Sequence, residues 1–573
     1  MKLAPEIIER AKKWTTAAFD GDTQAYIRAA IDENNPELED AFYRDLEFGT
    51  GGMRGIMGLG TNRINQYTLG MATQGLCNYL KTAFPSEQLK VAIAYDCRNN
   101  SQRLAGIVAD VFSANNVEVY LYEDLRVTPQ LSWTIRHLGC HSGIVLTASH
   151  NPKEYNGYKV YWSDGAQIVP PHDKKIIEEV QKISSPEEVK FERNPSLVHL
   201  VGEELDALFT EAVLEQSVSK LGIEDLKIAF TSLHGTSITA IPRVLEAAGF
   251  KRVFTVAEQA TPDGNFPTVN SPNPEEPEAL KMALDLAKLV EADLVVGTDP
   301  DGDRIGLAAR NSEGENVLLN GNQTGALLTW FLLERRKEQN QLPDNAYVAS
   351  TIVTSDLIID IAAHFGVDCA ISLTGFKWIA NIIREREQTH TFIGGGEESY
   401  GYMIGDFVRD KDSVTSTLIA CELAAWAKSR GKTVLDMLDD IYRTLGLYRE
   451  RLVYLVKKGK EGAQAISDQM VAFRENPPSK LGAYQVIAID DVKTGIRKDL
   501  GTLEEKKLNL PSSNVLQFHL EGGGKVSVRP SGTEPKIKFY ISLKEHVGKT
   551  DNLRAMESEL DQKINEICED LGL

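Results

Sequence analysis

Cysteine is scarce in this chain: six residues among 573, at Cys77, Cys97, Cys140, Cys369, Cys421 and Cys568, with no close pair. That scatter excludes a disulfide framework and a zinc site built on paired thiolates, and it suits a reducing compartment. Long apolar runs are missing as well; none approaches the ~20 residues that a membrane-spanning helix needs. Positive charge is outweighed, 62 Lys and Arg against 82 Asp and Glu, for a net charge of -20. The balance disfavours nucleic acid and anionic membrane as partners, since both would be repelled, and any anion must be met by particular basic loops. The opening Met1-Lys2-Leu3-Ala4-Pro5-Glu6 runs into a charged amphipathic helix instead of an apolar stretch. No signal peptide is expected, and a cytoplasmic location is.

What the sequence has in quantity is alternation. A chain of this length is too long for one core, and about three to five domains are expected. Residues 1–45 read as helical, with Trp14, Phe19, Tyr26 and Ile27 on apolar faces. From residue 90 a strand-helix-strand-helix-strand pattern occurs three times. The first has strands 90–95, 117–122 and 143–147 with helices 105–112 and 130–137. The second has strands 227–231, 253–256 and 293–297 with helices 241–248 and 278–289, and the third has strands 347–352, 368–372 and 391–394 with helices 357–365 and 378–386. Such alternation requires crossover connections and hence sheets with parallel pairs. The proline-rich stretch 261–275 reads as a loop, and an amphipathic helix is expected over 415–428. Residues 446–573 break the repeat, with strands near 484–490, 515–520, 526–528 and 536–543 and helices around 461–473 and 553–571, a smaller α+β domain. The expected domains are 1–205, 206–318, 319–445 and 446–573.

The residues after each third strand stand at equivalent places. They are Ser149-His150 in the first repeat, Asp299-Pro300-Asp301-Gly302-Asp303-Arg304 in the second and Gly396-Glu397-Glu398-Ser399 in the third. Strand ends at the carboxyl edge of such sheets line the ligand crevice, so a hydroxyl, an acidic cluster and a second carboxylate pair there point to one shared active site. The acidic loop is not an EF-hand, because the positions that would need glycine and glutamate hold Arg304 and Arg310. Three carboxylates on a tight loop repel one another unless a hard cation sits between them, and magnesium fits because it keeps coordination positions open for a phosphate oxygen. Two further stretches look made for phosphate. Phe48 to Gly55 reads as a glycine-dense loop that carries Arg54, and Arg529-Pro530-Ser531-Gly532-Thr533-Glu534-Pro535-Lys536 sets cations, hydroxyls and a glycine N–H within one turn.

Thr147 to Pro152 (T-A-S-H-N-P), Asp299 to Arg304 (D-P-D-G-D-R), Gly396 to Ser399 (G-E-E-S) and Arg529 to Pro535 (R-P-S-G-T-E-P), in this order, resemble the motifs of the α-D-phosphohexomutases over nearly the whole chain. Asp96-Cys97-Arg98, Asn156-Gly157-Tyr158-Lys159 and Asp410-Lys411-Asp412 support the likeness. The resemblance implies an α/β fold of four domains around a central cleft, three similar α/β units with mixed sheets and a smaller α+β domain at the C-terminus. It implies Ser149 as phosphoryl carrier, one Mg²⁺ on Asp299, Asp301, Asp303 and a Ser149 phosphate oxygen, and glucose 1,6-bisphosphate as intermediate and activator. Arg304 would assist the transfer, and Arg54, His150, Lys159 and Lys411 would position groups or move protons. Glu397 and Ser399 would grip sugar hydroxyls, while Arg529, Ser531, Gly532 and Thr533 would clamp the non-reacting phosphate. Sugar phosphates are the implied partners. The G-E-E-S form is similar to the glucose-handling branch, with mannose and pentose phosphates as alternatives. A magnesium-dependent phosphatase and a sugar-phosphate-binding regulator are the readings from other classes.

Overall fold

The computed structural model describes residues 3–457, 459–531 and 536–573. They form two compact units: Met1–Gly321 with Phe376–Thr433, and Asn322–Gly375 with Val434–Leu573.

In the first unit, strands β1 (Gly52–Ile56), β2 (Lys90–Tyr95), β3 (Glu118–Tyr122), β4 (Ser142–Leu146), β5 (Tyr155–Trp162) and β6 (Val198–Val201) make one mixed sheet in the order β1-β5-β4-β2-β3-β6. β2 pairs in parallel with β3 and β4, as the crossover helices Ser101–Ala114 and Thr128–His137 require, and β5 returns antiparallel to β4. All five residues of β4 are buried, which is why its sequence is an unbroken apolar run instead of an alternation. Val91, Ile93, Ile144, Leu146 and Val160 join Leu76, Leu104 and Phe112 of the flanking helices in one core, each worth about 1.5–3 kcal/mol of apolar burial. A second mixed sheet follows, of β7 (Lys227–Thr231), β8 (Arg252–Thr255), β9 (Leu294–Thr298), β10 (Ile305–Arg310) and β11 (Asn316–Leu319), in the order β11-β10-β9-β7-β8. In both sheets the strand that the sequence placed third ends at a candidate loop, and an antiparallel strand leads back from it. The described residues up to 45 are mainly helical, as expected, over Pro5–Lys12, Gly21–Asp32 and Glu37–Phe42, and their core of Trp14, Phe19, Ile27 and Phe42 closes on Tyr67.

The third repeat is divided. β12 (Ala346–Thr351) and β13 (Asp368–Ser372), a parallel pair, lie in the second unit, whereas the antiparallel pair β14 (Thr391–Glu397) and β15 (Gly401–Ile404) lies in the first. The remaining strands are β16 (Leu447–Val456), β17 (Lys480–Leu481), β18 (Tyr484–Asp491), β19 (Ile496–Asp499), β20 (Glu505–Lys507), β21 (Leu516–Leu520), β22 (Lys525–Pro530) and β23 (Lys536–Glu545). They form an antiparallel sheet backed by Gly459–Glu475 and Leu553–Asp570.

Two expectations need correcting. The glycine-dense stretch is not all loop: Gly52–Ile56 is an edge strand paired with β5, so Arg54 stands on a sheet opposite Gly157. Gly52 is needed there, since its φ is +125° and a Cβ would lie 1.8 Å from the Tyr158 carbonyl oxygen. The helix Ser413–Ser429 is buried on every side from Ser413 to Ala427 instead of being amphipathic, because neighbouring elements cover it all round.

Candidate active site

The serine loop is shaped by backbone capture. After β4, the Thr147 hydroxyl accepts the Ser149 N–H at 2.8 Å, and Ser149 adopts a left-handed φ of +49°. Arg98, 2% exposed, donates to the carbonyls of Ser149 (2.6 Å), Pro152 (2.8 Å), Tyr155 (2.9 Å) and Asn151, so one guanidinium gathers the loop. Asp96 fixes Arg98 in turn by accepting its backbone N–H at 2.9 Å. Gly157 allows β1 and the loop to approach, as a Cβ there would stand 2.5 Å from the Thr147 carbonyl oxygen. Arg54 reaches the loop from β1 and donates to Asn151 Oδ1 at 2.9 Å.

The acidic loop comes to the same point. Ser149 Oγ donates to Asp299 Oδ2 at 2.6 Å, while Asp299 Oδ1 accepts the N–H groups of Asp303 (3.1 Å) and Arg304 (3.0 Å). Gly302 makes the turn at φ +67°, where a Cβ would meet the Val127 side chain at 2.6 Å. Asp299, Asp301 and Asp303 are buried, with one oxygen of each within 4.8 Å of the others, the only such cluster of potential metal ligands among the described residues. Lys159 lies 2.7 Å from Asp301 Oδ2 and 3.2 Å from Asp303 Oδ2; Lys411 lies 3.2 Å from Asp303 Oδ2. The Thr128 hydroxyl also donates to Asp301 Oδ2, at 3.1 Å.

Two oxygens are left over. Asp301 Oδ1 and Asp303 Oδ1 are buried with no hydrogen-bond partner, an arrangement that is costly without a cation. These hard anionic oxygens fit a divalent metal such as Mg²⁺. The protonation of the ligands carries the same strain. Burial and the charges of Asp301 and Asp303 raise Asp299 well above the carboxylate range; Asp301, despite its burial, is held low by Lys159. Burial opposes the charge on Lys411, yet Asp303 and Asp410 more than offset it and raise its pKa.

His150 Nδ1 is 3.2 Å from Ser149 Oγ, and burial together with Arg304 and Arg54 holds the imidazole well below its ordinary value, hence neutral. Arg304 is paired with Glu275. Lys411 is seated by Asp410, whose other oxygen accepts from Tyr161 at 2.6 Å and Gln167 at 3.0 Å. Gly401 lets the lysine stem pass, since a Cβ would lie 2.2 Å from Lys411 Cδ. Glu397 ends β14, buried, with its charge acting on Arg304 and Lys411; Ser399 lies in the next turn, whose Tyr400 carbonyl accepts the Ile305 N–H at 3.0 Å. Ser149, His150, Arg54, Lys159, Arg304, Lys411, Glu397, Ser399 and the three aspartates therefore belong to the first unit.

In the second unit, Arg529 on β22 stands opposite Lys538 on β23, and the Ser531 N–H donates to the Lys536 carbonyl at 2.7 Å. Gly532 and Thr533 lie outside the described residues. The sequence assigns no role to Arg98, Thr128, Asn151, Asp410 or Glu275. Arg98, Asn151 and Asp410 do lie in the quoted motifs Asp96-Cys97-Arg98, Thr147 to Pro152 and Asp410-Lys411-Asp412; Thr128 and Glu275 lie in none.

Models of the phosphoglucomutase/phosphomannomutase α/β/α domains I, II and III match residues 45–187, 207–314 and 320–445. A phosphoglucomutase of Staphylococcus epidermidis is 38% identical over 515 residues, 89% of this chain and 93% of its own length. The phosphoglucomutase of Staphylococcus haemolyticus is 38% identical over 508 residues, 88% of this chain and 91% of its own. Among solved structures, a putative phosphomannomutase from Thermus thermophilus shares the fold with a TM-score of 0.68 at 20% identity, over 92% of this chain and 99% of that one. The phosphoprotein parafusin, a phosphoglucomutase from Paramecium in its open form, does so with a TM-score of 0.67 at 18% identity, over 92% and 96%. With three consecutive domains matched and relatives alike over nine-tenths of their length, the chain belongs to the phosphoglucomutase/phosphomannomutase family and is an isomerase of the phosphoglucomutase type.

Proposed function

We propose that the protein interconverts glucose 1-phosphate and glucose 6-phosphate, with Ser149 carrying the phosphoryl group and glucose 1,6-bisphosphate formed between the two transfers. The observation that carries this reading is the contact of Ser149 Oγ with Asp299 Oδ2 at 2.6 Å beside the two orphaned oxygens of Asp301 and Asp303. A hydroxyl on a left-handed loop residue, facing a cation-hungry carboxylate cluster, is placed to hold and hand on a phosphate. Asp299, Asp301 and Asp303, with an oxygen of the serine phosphate, would hold Mg²⁺, which when bound supplies charge neutralisation for the moving group.

The chain's own residues divide the remaining work. Arg98 fixes the backbone of the serine loop. Lys159 and Lys411, both held protonated by the aspartates, keep positive charge at the rim of the cluster and are donors to phosphate oxygens. Neutral His150 can take a hydrogen bond from the serine side or pass its proton on. Glu397 and Ser399 bind sugar hydroxyls, and Arg54 and Arg304 orient the anion with their fixed forks of donors. For the Arg529 hairpin, with Ser531, Gly532 and Thr533, we propose the task of holding the phosphate that is not reacting. Domain limits of 1–205, 206–318, 319–445 and 446–573 accompany this division of labour. Glucose is favoured over mannose and pentose because the two staphylococcal relatives named above, at 38% identity, are phosphoglucomutases and because of the Gly396-Glu397-Glu398-Ser399 form.

The test is incubation with glucose 1-phosphate, Mg²⁺ and a trace of glucose 1,6-bisphosphate. Accumulation of glucose 6-phosphate is expected. Release of free phosphate without the 6-phosphate would make the protein a phosphatase, and faster turnover of mannose or pentose phosphates would change the substrate.

A further inference from the structure

Between the short turn Ala257–Gln259 and the helix Lys281–Val290 the chain runs through residues 261–275 with no helix or strand and with four prolines, Pro262, Pro267, Pro272 and Pro274. Its first part touches the turn whose Arg98 gathers the serine loop, and its far end touches the carboxylate loop. At the first end Gly264 lies so close to the Asp96-Cys97-Arg98 turn that a Cβ would stand 2.5 Å from the Asn99 nitrogen and 2.8 Å from the Cys97 carbonyl oxygen. Asn99 donates to Asn265 Oδ1 at 3.0 Å, and the Arg98 guanidinium lies over the Phe266 ring, 5.2 Å from its centroid. At the other end Glu275 pairs with Arg304, and Gly306 on β10 presses on Pro274, with a Cβ placed 2.7 Å from the Pro274 carbonyl oxygen. His234 pins the stretch at its start and middle, its ring nitrogens meeting the Thr261 carbonyl at 3.2 Å and the Thr268 hydroxyl at 2.9 Å.

We propose that residues 261–275 are a strut that sets the serine loop against the carboxylate loop, with Phe266 as its positioning residue. Arg98 gathers four carbonyls of the serine loop, but its buried Nε has no hydrogen-bond partner and Asp96 Oδ2 is 3.5 Å away. The guanidinium is therefore located by the carbonyls its N–H groups reach and by the aromatic face it lies over, an interaction that depends on orientation. Phe266 is 3% exposed and has a φ of +48°, a left-handed conformation that a bulky residue keeps only where its surroundings hold it. The prolines stiffen the segment, so a displacement at Phe266 is passed along the loop instead of being absorbed. A reacting oxygen misplaced by a fraction of an ångström costs rate more than affinity.

The kinetic arm of the test rests on the phosphoryl-transfer reading; the structural arm does not. Phe266→Leu keeps apolar volume and removes the ring. In the variant we expect amide exchange in the peptide covering residues 147–156 to speed up by about tenfold while the core helix Ser101–Ala114 stays as protected as before. kcat should fall by about tenfold with the KM for sugar phosphate within about twofold, and Phe266→Tyr should restore both. If Phe266→Leu fails to fold, Asn265→Ala, at an exposed residue, removes the Asn99 contact and should give smaller changes of the same sign. Unchanged exchange at residues 147–156 in a folded variant, or a loss of kcat that Phe266→Tyr does not restore, overturns the strut. Faster exchange in a protein whose wild type moves no phosphoryl group would overturn the function reading and leave the strut standing.

Discussion

The carboxylate cluster beside Ser149 and the Arg529 hairpin, the two places to which we assign charged ligands, present opposite settings. Asp299 and Asp301 are 0% exposed and Asp303 2%, hemmed in by Lys159, Lys411 and Arg304, whereas Arg529 is half-buried on a hairpin. A buried cluster holds its geometry without water and strengthens every interaction inside it, but leaves oxygens that cost stability until a cation arrives. A half-buried arginine binds and releases with little reorganisation. The first arrangement suits a group that must react; the second suits a grip that must let go.

The comparison can be broken in several places, beginning with the largest effect. Ser149→Ala should leave the fold intact and reduce turnover by on the order of a thousandfold or more, measured as glucose 6-phosphate formation, because the phosphoryl carrier is lost. Asp301→Asn should lower Mg²⁺ affinity by more than about tenfold in calorimetric titration, and chelator should abolish wild-type activity until Mg²⁺ is returned. Arg529→Ala should raise KM by roughly 10- to 100-fold, since each charge-assisted bond is worth about 1.5–3 kcal/mol. It should lower kcat less and leave slow transfer from phosphoserine to water unchanged; an equal fall in both transfers would place Arg529 in the chemical step.

The smallest effect concerns a buried carboxylate with no part in the cluster. Glu422 accepts the Ser217 hydroxyl at 2.5 Å and the N–H groups of Val218 and Ser219 at 2.9 Å each, and burial pushes it from 4.5 up to about 7. A folded-state value above the unfolded one means that the folded chain binds the proton more tightly. The stabilisation is complete below pH 4.5 and is lost as pH rises to about 7. Glu422→Gln should remove that slope and make the protein more stable at pH 8 by on the order of 2–3 kcal/mol in denaturant melts. An unaltered slope would show that burial alone does not move a carboxylate here, and would weaken the contrast.

What the sequence made legible was whatever breaks a pattern. Ser149 and the aspartates stand out because small polar residues follow buried apolar strands, and the three repeats stand out because strand and helix alternate. Arg98 stands out only as part of the Asp96-Cys97-Arg98 motif; its task does not, since its partners are backbone carbonyls, which have no sequence signature. Arg54 read as part of a loop because glycines dominate its neighbourhood, and the pairing that makes Gly52–Ile56 a strand is with residues 155–159, a hundred positions away. The helix Ser413–Ser429 read as amphipathic because its threonines, serines and Glu422 look like a solvated face, and only tertiary packing buries them.

The central claim, that Ser149 carries the phosphoryl group between the two sugar phosphates, is tested most directly by following the group itself. Protein incubated with glucose 1,6-bisphosphate bearing an isotopically labelled phosphate, then freed of sugar and digested, should carry the label on the peptide containing Ser149. A chase with glucose 1-phosphate and Mg²⁺ should return that label to sugar bisphosphate. Label on any other residue, or its release only as free phosphate during the chase, would contradict the account.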